Sequence, residues 1–460
     1  MIKNIDFEKY KKENNKLIQD FLISDKDKSR LGIVYTPIKL VEKIIELIPI
    51  DTFNKETKWL DIGAGLGNFS FIIYEKLYNL LNINNDNIIK NLYLSEIEEK
   101  QIFYLRNLFG ENINLFNNFF DISEKYNSFF DVIVGNPPYN YGKIKTPTNK
   151  ELNKKDEGKS IWQKFIIESL KLLKYGGFLS LIVPAIWLKP DKSGIYSLLT
   201  SYKIIKLNCL SNLETNKQFQ YKAQTPTCYF LIQKTLSIEN NILIYDDIYN
   251  KYINYRLINN YPIPMNYVSI INKFLKKVDK LGTLKVFKTN CLSSKNNVST
   301  VKNEYYAYEN ISSCLLGGIK KLEPFKIKFY SNFPCQFAFD QKLILAHKMY
   351  GFPFFDEGNI GISSRDNYII KDYSRKELIK IGKFLSCKTL VFIYSVTAYR
   401  MKYLEKYIFD FIPNISSEEL FDDLPEDINE RDKIIQEYFG LSERENRIIN
   451  SSVKNYKFLM

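Results

Sequence analysis

One histidine, His347, is all that the 460-residue sequence holds. No partner for it is evident, so it reads as structural. Cysteine is sparse as well. Cys209, Cys228, Cys291, Cys314, Cys335 and Cys387 are scattered without a Cys-x-x-Cys pair. That pattern argues against a zinc site and a disulfide framework, and it suits a reducing compartment. Long hydrophobic runs are missing too. The most apolar stretch, Gly176 to Leu188, is interrupted by Pro184 and is too short to span a bilayer. Met1 to Asn15 is charged throughout, unlike a secretory leader. The expectation from these absences is a cytoplasmic or nucleoid protein with no membrane span and no metal.

What is present begins with charge. The formal net charge is +13, which fits an acidic partner such as nucleic acid. A chain this rich in Lys, Asn, Ile and Tyr also follows from A/T-biased coding, so charge alone does not choose. The length accommodates two or three domains.

The stretch around which the rest is organised is Asp131-Val132-Ile133-Val134-Gly135-Asn136-Pro137-Pro138-Tyr139. Its apolar, β-branched first half predicts a buried parallel strand. Two prolines end the ladder, so Asn136 to Tyr139 form a stiff loop at the strand's C-terminal end. Ligands bind there in open α/β sheets. Asn136 offers a side-chain carbonyl, the prolines offer carbonyls with no competing N–H, and Tyr139 offers an aromatic face. A flat group bearing an amine, such as adenine, suits that set.

Upstream, Ile2 to Ser29 predicts a peripheral helix in which nothing reads as chemistry. In Tyr35-Thr36-Pro37, Thr36 is a good N-cap and Pro37 a good first helical residue. A continuous apolar helix face follows from Leu40 to Ile48. A strand over Lys58 to Ile62 runs into Asp61-Ile62-Gly63-Ala64-Gly65-Leu66-Gly67, where glycines allow a tight turn and close approach to a ligand. By itself a glycine loop is a weak signal. Leu92 to Glu96 is a second strand, ending in a carboxylate placed to accept from ribose hydroxyls; solvated surface is the other reading of Glu96. Asp121 follows a third strand, Ile113 to Phe116. The Lys-rich stretch Asn140 to Lys159, with Lys143 and Lys145, suits phosphate neutralisation or an ordinary surface loop. A helix over Ile161 to Leu173 is expected to close at Gly176-Gly177 before a strand over Phe178 to Val183. Strands and helices alternate to about Lys234, as in one doubly wound domain. Beyond it come a helix over Tyr267 to Val278, short aromatic strands from Lys285 to Ile370, and a capping box at Ser442 to Glu445.

In this order, Tyr35-Thr36-Pro37, Asp61-x-Gly-x-Gly-x-Gly67, Glu96, Asp121, Asn136-Pro-Pro-Tyr139 and the Ile161–Val183 segment resemble the class γ N6-adenine DNA methyltransferases. The resemblance covers about Leu31 to Lys234. It implies a Rossmann-like methyltransferase domain with a mostly parallel sheet, followed by a mixed α+β target-recognition domain. The implied layout is a helical extension (1–29), the catalytic domain (30–236), a connecting helical segment (237–280), the recognition domain (281–411) and a helical tail (412–460). S-adenosylmethionine is the implied cofactor. Tyr35, Thr36, Pro37, Asp61, Gly63, Gly65 and Gly67 would hold its methionine end, with Asn136 beside them. Glu96 and Ile97 would take the ribose, and Asp121 and Ile122 the adenine. Asn136, Pro137 and Pro138 would present the target amine while Tyr139 stacks on a flipped base. Phe219 matches best as the aromatic on the base's other face, with Tyr221 as rival. Lys143, Lys145 and Arg365 would contact DNA.

The substrate so implied is double-stranded DNA, methylated site-specifically at adenine N6. The stretch before Leu31 is too short for the nuclease domain fused in some relatives. The expectation is therefore a modification enzyme, paired with a separate restriction endonuclease or acting as a solitary or viral methyltransferase. Methylation of an RNA base and silent nucleic-acid binding on the same scaffold are the alternatives.

Overall fold

A computed structural model of the chain describes residues 7–20, 35–81, 85–141, 159–219, 225–237, 240–289, 298–315, 325–346, 353–364, 367–400 and 404–452. It divides into two compact units, 1–245 and 246–460. His347, Lys143, Lys145, Tyr221 and Arg365 lie outside the described residues.

The first unit is built on largely apolar runs flanked by turn residues. They form β1 (Trp59–Ile62), β2 (Leu92–Ser95), β3 (Asn114–Phe116), β4 (Phe130–Gly135), β5 (Leu173–Pro184), β6 (Tyr202–Leu210), β7 (Thr227–Leu236) and β8 (Asn241–Asp246). Their order in the sheet is β8-β6-β7-β5-β4-β1-β2-β3. β3, β2, β1, β4 and β5 are parallel to one another, and β7 runs antiparallel between β5 and β6. The mostly parallel, doubly wound fold expected from the sequence is what the chain adopts. Both faces of β1 are covered, and all four of its residues are buried, as a central parallel strand requires.

Helices α1 (Phe7–Asp20), α2 (Ile38–Ile45), α3 (Asn68–Leu81), α4 (Glu99–Phe109), α5 (Trp162–Leu172) and α6 (Asn212–Gln218) flank the sheet in sequence. The apolar face of α2 is buried at Leu40, Val41, Ile44 and Ile45. Two local expectations fail. Helix α2 begins at Ile38, with Pro37 as its N-cap and no side-chain cap, because the Thr36 hydroxyl is used elsewhere. Gly176 and Gly177 do not terminate α5, which ends in an extended Leu173. They lie inside β5, where its register with β4 shifts between Phe130 and Val132; the glycines make a bulge rather than a cap.

In the second unit, α7 (Val268–Leu281) is followed by two four-stranded sheets. β10 (Phe287–Lys288), β17 (Asn367–Ile370), β14 (Lys342–Ala346) and β15 (Phe354–Asp356) form one; β9 (Lys251–Arg256), the unit's first strand, belongs to neither. β11 (Val298–Ser299), β13 (Phe325–Ser331), β12 (Tyr308–Leu315) and β16 (Gly361–Ile362) form the other. Ile311 and Ile362 from one sheet and Ile344 and Ile369 from the other share one fully buried cluster. Helices close the unit, the last (Glu443–Ser452) behind a capping box in which Ser442 and Glu445 exchange hydrogen bonds. Among the described residues, no helix is long and apolar enough to cross a membrane.

Candidate active site

Register places the functional loops. Ile62 of β1 pairs with Ser95 of β2 on one side and with Gly135 of β4 on the other. The glycine loop, Glu96 and Asn136 therefore leave the sheet side by side at its C-terminal edge. Only glycine fits at 135, where a Cβ would sit 2.6 Å from the Ile62 carbonyl oxygen. That close approach turns the Asn-Pro-Pro-Tyr loop toward the glycine loop.

Hydrogen bonds lock the glycine loop to the acidic strand end. Ala64 N–H donates to the Ser95 carbonyl at 2.8 Å, and Gly65 N–H donates to Glu96 Oε2 at 2.7 Å. Glu96 Oε1 accepts from the N–H groups of Ile97 and Glu98 at 2.8 and 3.0 Å. Burial raises the Glu96 carboxyl above its ordinary range, and these three backbone donors oppose the shift. Gly65 has a φ of +60°, and a Cβ there would meet the Tyr35 ring at 3.4 Å. Tyr35 is itself held by Gln101, whose Nε2 donates to its hydroxyl at 2.9 Å.

From the other side comes Asn136, whose Nδ2 donates to Thr36 Oγ1 at 3.1 Å. With its amide nitrogen turned to Thr36, what the side chain presents to a ligand is its oxygen. The Tyr139 carbonyl accepts from Ile161 N–H at 3.1 Å, which pins the loop's far end. The Tyr139 hydroxyl is enclosed and makes no hydrogen bond among the described residues. Burial, with Cys228 nearby, pushes it well above its ordinary value. Its hydroxyl points inward, so the ring is what borders open space.

These parts surround one cavity of about 450 Å³. Tyr35, Thr36, Gly63, Gly65, Glu96, Ile97, Asn136, Pro137, Pro138, Tyr139 and Phe219 all line it. Phe219 is placed by α6, which Ser211 and Glu214 cap reciprocally and which Thr215 ties to Thr227 of β7 at 3.0 Å. Pro37, Gly67, Asp121 and Ile122 are not part of the lining. Asp61 lies beneath it, fully buried, accepting from Ser70 Oγ at 2.8 Å and from Ser70 N–H at 3.2 Å.

The clearest departure concerns Asp121. It is exposed, and its Oδ1 accepts from Asn118 Nδ2 at 2.7 Å. The turn Phe119–Asp121 carries the carboxylate outward and puts Asn117, Asn118, Phe119 and Phe120 on the cavity instead. Phe119 stacks on Phe165 with ring centroids 4.7 Å apart and planes within 9°. This asparagine–aromatic ledge was missed in the sequence; the signal available was Asn-Asn-Phe-Phe directly after β3. Among the described residues no three His, Cys, Asp or Glu side chains form a group able to hold a metal.

Comparison with known proteins bears on the same segment. Residues 66–213 match the family model described as Eco57I restriction-modification methylase. That methylase match takes in Glu96, the Asn136–Tyr139 loop, α5 and β5. A 58-residue stretch is 47% identical to a putative type II restriction enzyme and methyltransferase of Methanocaldococcus jannaschii, covering 12% of this chain and 5% of that protein. Among solved structures, similarity extends to a modification subunit of a putative type I restriction enzyme from Vibrio vulnificus YJ016. There the identity is 15%, the TM-score 0.40, and 55% of each chain is covered. The type IIL restriction-modification enzyme MmeI, solved with DNA, is 14% identical with a TM-score of 0.44, covering 93% of this chain and 79% of MmeI. The chain thus spans a small fraction of the curated relative it matches and about half of the Vibrio subunit.

Proposed function

We propose that the protein methylates N6 of an adenine turned out of double-stranded DNA, using S-adenosylmethionine, as the modification enzyme of a restriction-modification system. The observation that carries this reading is that the Asn136–Tyr139 loop, the glycine loop from Gly63 to Leu66 and Glu96 line one cavity. The residues fit the cofactor. Gly65 leaves the loop without a side chain where Tyr35 closes in. Glu96 is a fixed acceptor for ribose hydroxyls, and the Phe119–Phe165 ledge beside Asn118 offers a planar ring a face and a polar edge.

When bound, the sulfonium supplies an electrophilic methyl group, its C–S bond breaking with the electron pair to sulfur. The residues of this chain do the rest by position and electrostatics. The adenine N6 lone pair is delocalised into the ring, so the amine is a poor nucleophile. The Asn136 side-chain oxygen and the Pro137 carbonyl would accept hydrogen bonds from its two N–H groups and favour the more tetrahedral nitrogen that attacks; the proton that N6 then sheds passes to solvent. Tyr139 and Phe219 would stack on the base, which offsets an extrusion cost of a few kcal/mol.

The test is methylation of genomic DNA by purified protein, with modified bases mapped by sequencing. N6-methyladenine at one short motif is expected; transfer to RNA alone, to another base or to nothing would refute the reading. Asn136→Ala should lower kcat by about 10²–10³-fold with cofactor affinity kept, the range seen when one transition-state contact is removed. Tyr139→Phe keeps the ring and should retain most activity, whereas Tyr139→Ala should lose about 1–3 kcal/mol of base binding. A Tyr139→Phe enzyme as inactive as Asn136→Ala would give the hydroxyl a role that its inward position does not support.

A further inference from the structure

Among the described residues, Tyr10 is where helix α1 reaches the site. Tyr10 is buried and stacks on Phe71 of α3 with ring centroids 3.8 Å apart. Packing of this kind needs no hydroxyl, yet the Tyr10 hydroxyl donates to the Leu66 carbonyl of the glycine loop at 3.2 Å. It also lies 3.5 Å from Asn68 Oδ1. Asn68 Nδ2 donates to the Thr36 carbonyl at 2.8 Å, and Thr36 Oγ1 accepts from Asn136. Four segments far apart in sequence are thus joined by Tyr10, Asn68, Thr36 and Asn136 in one line. Leu66, Asn68, Thr36 and Asn136 all border the cavity. Beside Tyr10, Lys11 pairs with Glu42 of α2 at 3.0 Å and with Glu75 of α3 at 2.8 Å, so α1 is clamped to both helices that frame the loop.

We infer that Tyr10 and Asn68 are positioning residues, through which the seating of α1 sets both the glycine loop and the orientation of the Asn136 amide. The inference rests on the function proposed above, and it gives a task to a helix that carries no chemistry of its own. Tyr10 holds the loop at Leu66. Asn68 passes that placement to the Thr36 backbone, and the Thr36 hydroxyl then fixes which way the Asn136 oxygen faces. A buried tyrosine commonly finds some partner; here the partners, besides Tyr104, are the Leu66 carbonyl of the proposed cofactor loop and Asn68.

Tyr10→Phe separates the two roles, because it keeps the stack on Phe71 and removes only the hydroxyl. In the full chain it should leave Tm nearly unchanged. It should raise hydrogen–deuterium exchange at 35–41 and 63–68 without cofactor, and weaken S-adenosylmethionine binding about fivefold, the worth of one hydrogen bond. The kcat with DNA should fall as well, since Asn136 loses its support. If Tyr10→Phe matches wild type in exchange, affinity and kcat while Tyr10→Ala is destabilised, Tyr10 only packs and the inference is overturned. Wild-type protein that takes up no S-adenosylmethionine would instead refute the functional reading. Exchange at 35–41 and 63–68 would still decide whether the hydroxyl holds those segments.

Discussion

At the scale of the residue, Asp61 shows how much the site's floor depends on protonation. Its carboxyl is fully buried at the end of β1, and burial raises its pKa from 3.8 to about 7, with the nearby Glu96 adding to the shift and the Ser70 hydrogen bonds opposing it. A carboxyl with a folded pKa above its unfolded one binds its proton more tightly in the folded state. Its contribution to stability is therefore fully present below about pH 4 and is lost as the pH rises toward about 7. Asp61→Asn keeps an oxygen to accept from Ser70 and cannot ionise. Relative to wild type, that variant should gain stability as the pH goes from 5 to 8, measured as the difference in Tm between the two proteins. A difference that stays flat over the window would mean that Asp61 is ionised, or solvated, in the folded protein.

Among the elements, β5 is the one whose local sequence misleads. Lys174-Tyr175-Gly176-Gly177 has the composition of a helix end, and a Gly after a basic residue is a fair stop signal. What decides is the neighbouring strand. A Cβ on Gly177 would lie 2.8 Å from the Asp131 carbonyl oxygen, and Lys174 Nζ reaches Asp131 Oδ1 at 2.6 Å. The segment is drawn into the sheet beside β4. Gly177→Ala should cost about 1–3 kcal/mol, as overpacking against a fixed backbone does, read as a lowered midpoint of denaturant unfolding; an unchanged midpoint would mean that β4 yields. The same logic separates what was legible in the sequence from what was not. The strand–loop units at Asp61–Gly67 and Asp131–Tyr139 announce themselves, because glycine and proline at those spacings leave the backbone few other paths. Asp121 could not be placed that way. A single turn at Phe119–Asp121 decides whether Asp121 or Asn118 faces the cavity, and residue type alone favours the carboxylate. The Tyr10–Leu66 contact is invisible for a different reason: it depends on how α1 packs against α3, and no spacing in the chain encodes that.

On the scale of the whole molecule, the chain divides at 245/246, and every described residue that lines the cavity falls in the first unit. A modification enzyme must also choose its site, and the expectation assigns that choice to 281–411. Two sheets packed through Ile311, Ile344, Ile362 and Ile369 make a rigid base. Large apolar side chains that this core does not cover are exposed around it, with Tyr305 at 65% and Phe339 at 74%. Asn332 Nδ2 donates to the Tyr305 hydroxyl at 2.8 Å and holds that ring in place. An exposed ring with a fixed orientation suits stacking on a base, worth about 1–3 kcal/mol per base. Tyr305→Ala and Phe339→Ala should therefore weaken DNA binding by up to that amount, and should relax the methylated motif when modified bases are mapped by sequencing. Affinity for S-adenosylmethionine should not move, because the cavity belongs to the other unit. If both variants keep the wild-type motif and DNA affinity, site choice does not run through these rings and the task assigned to this part of 281–411 fails.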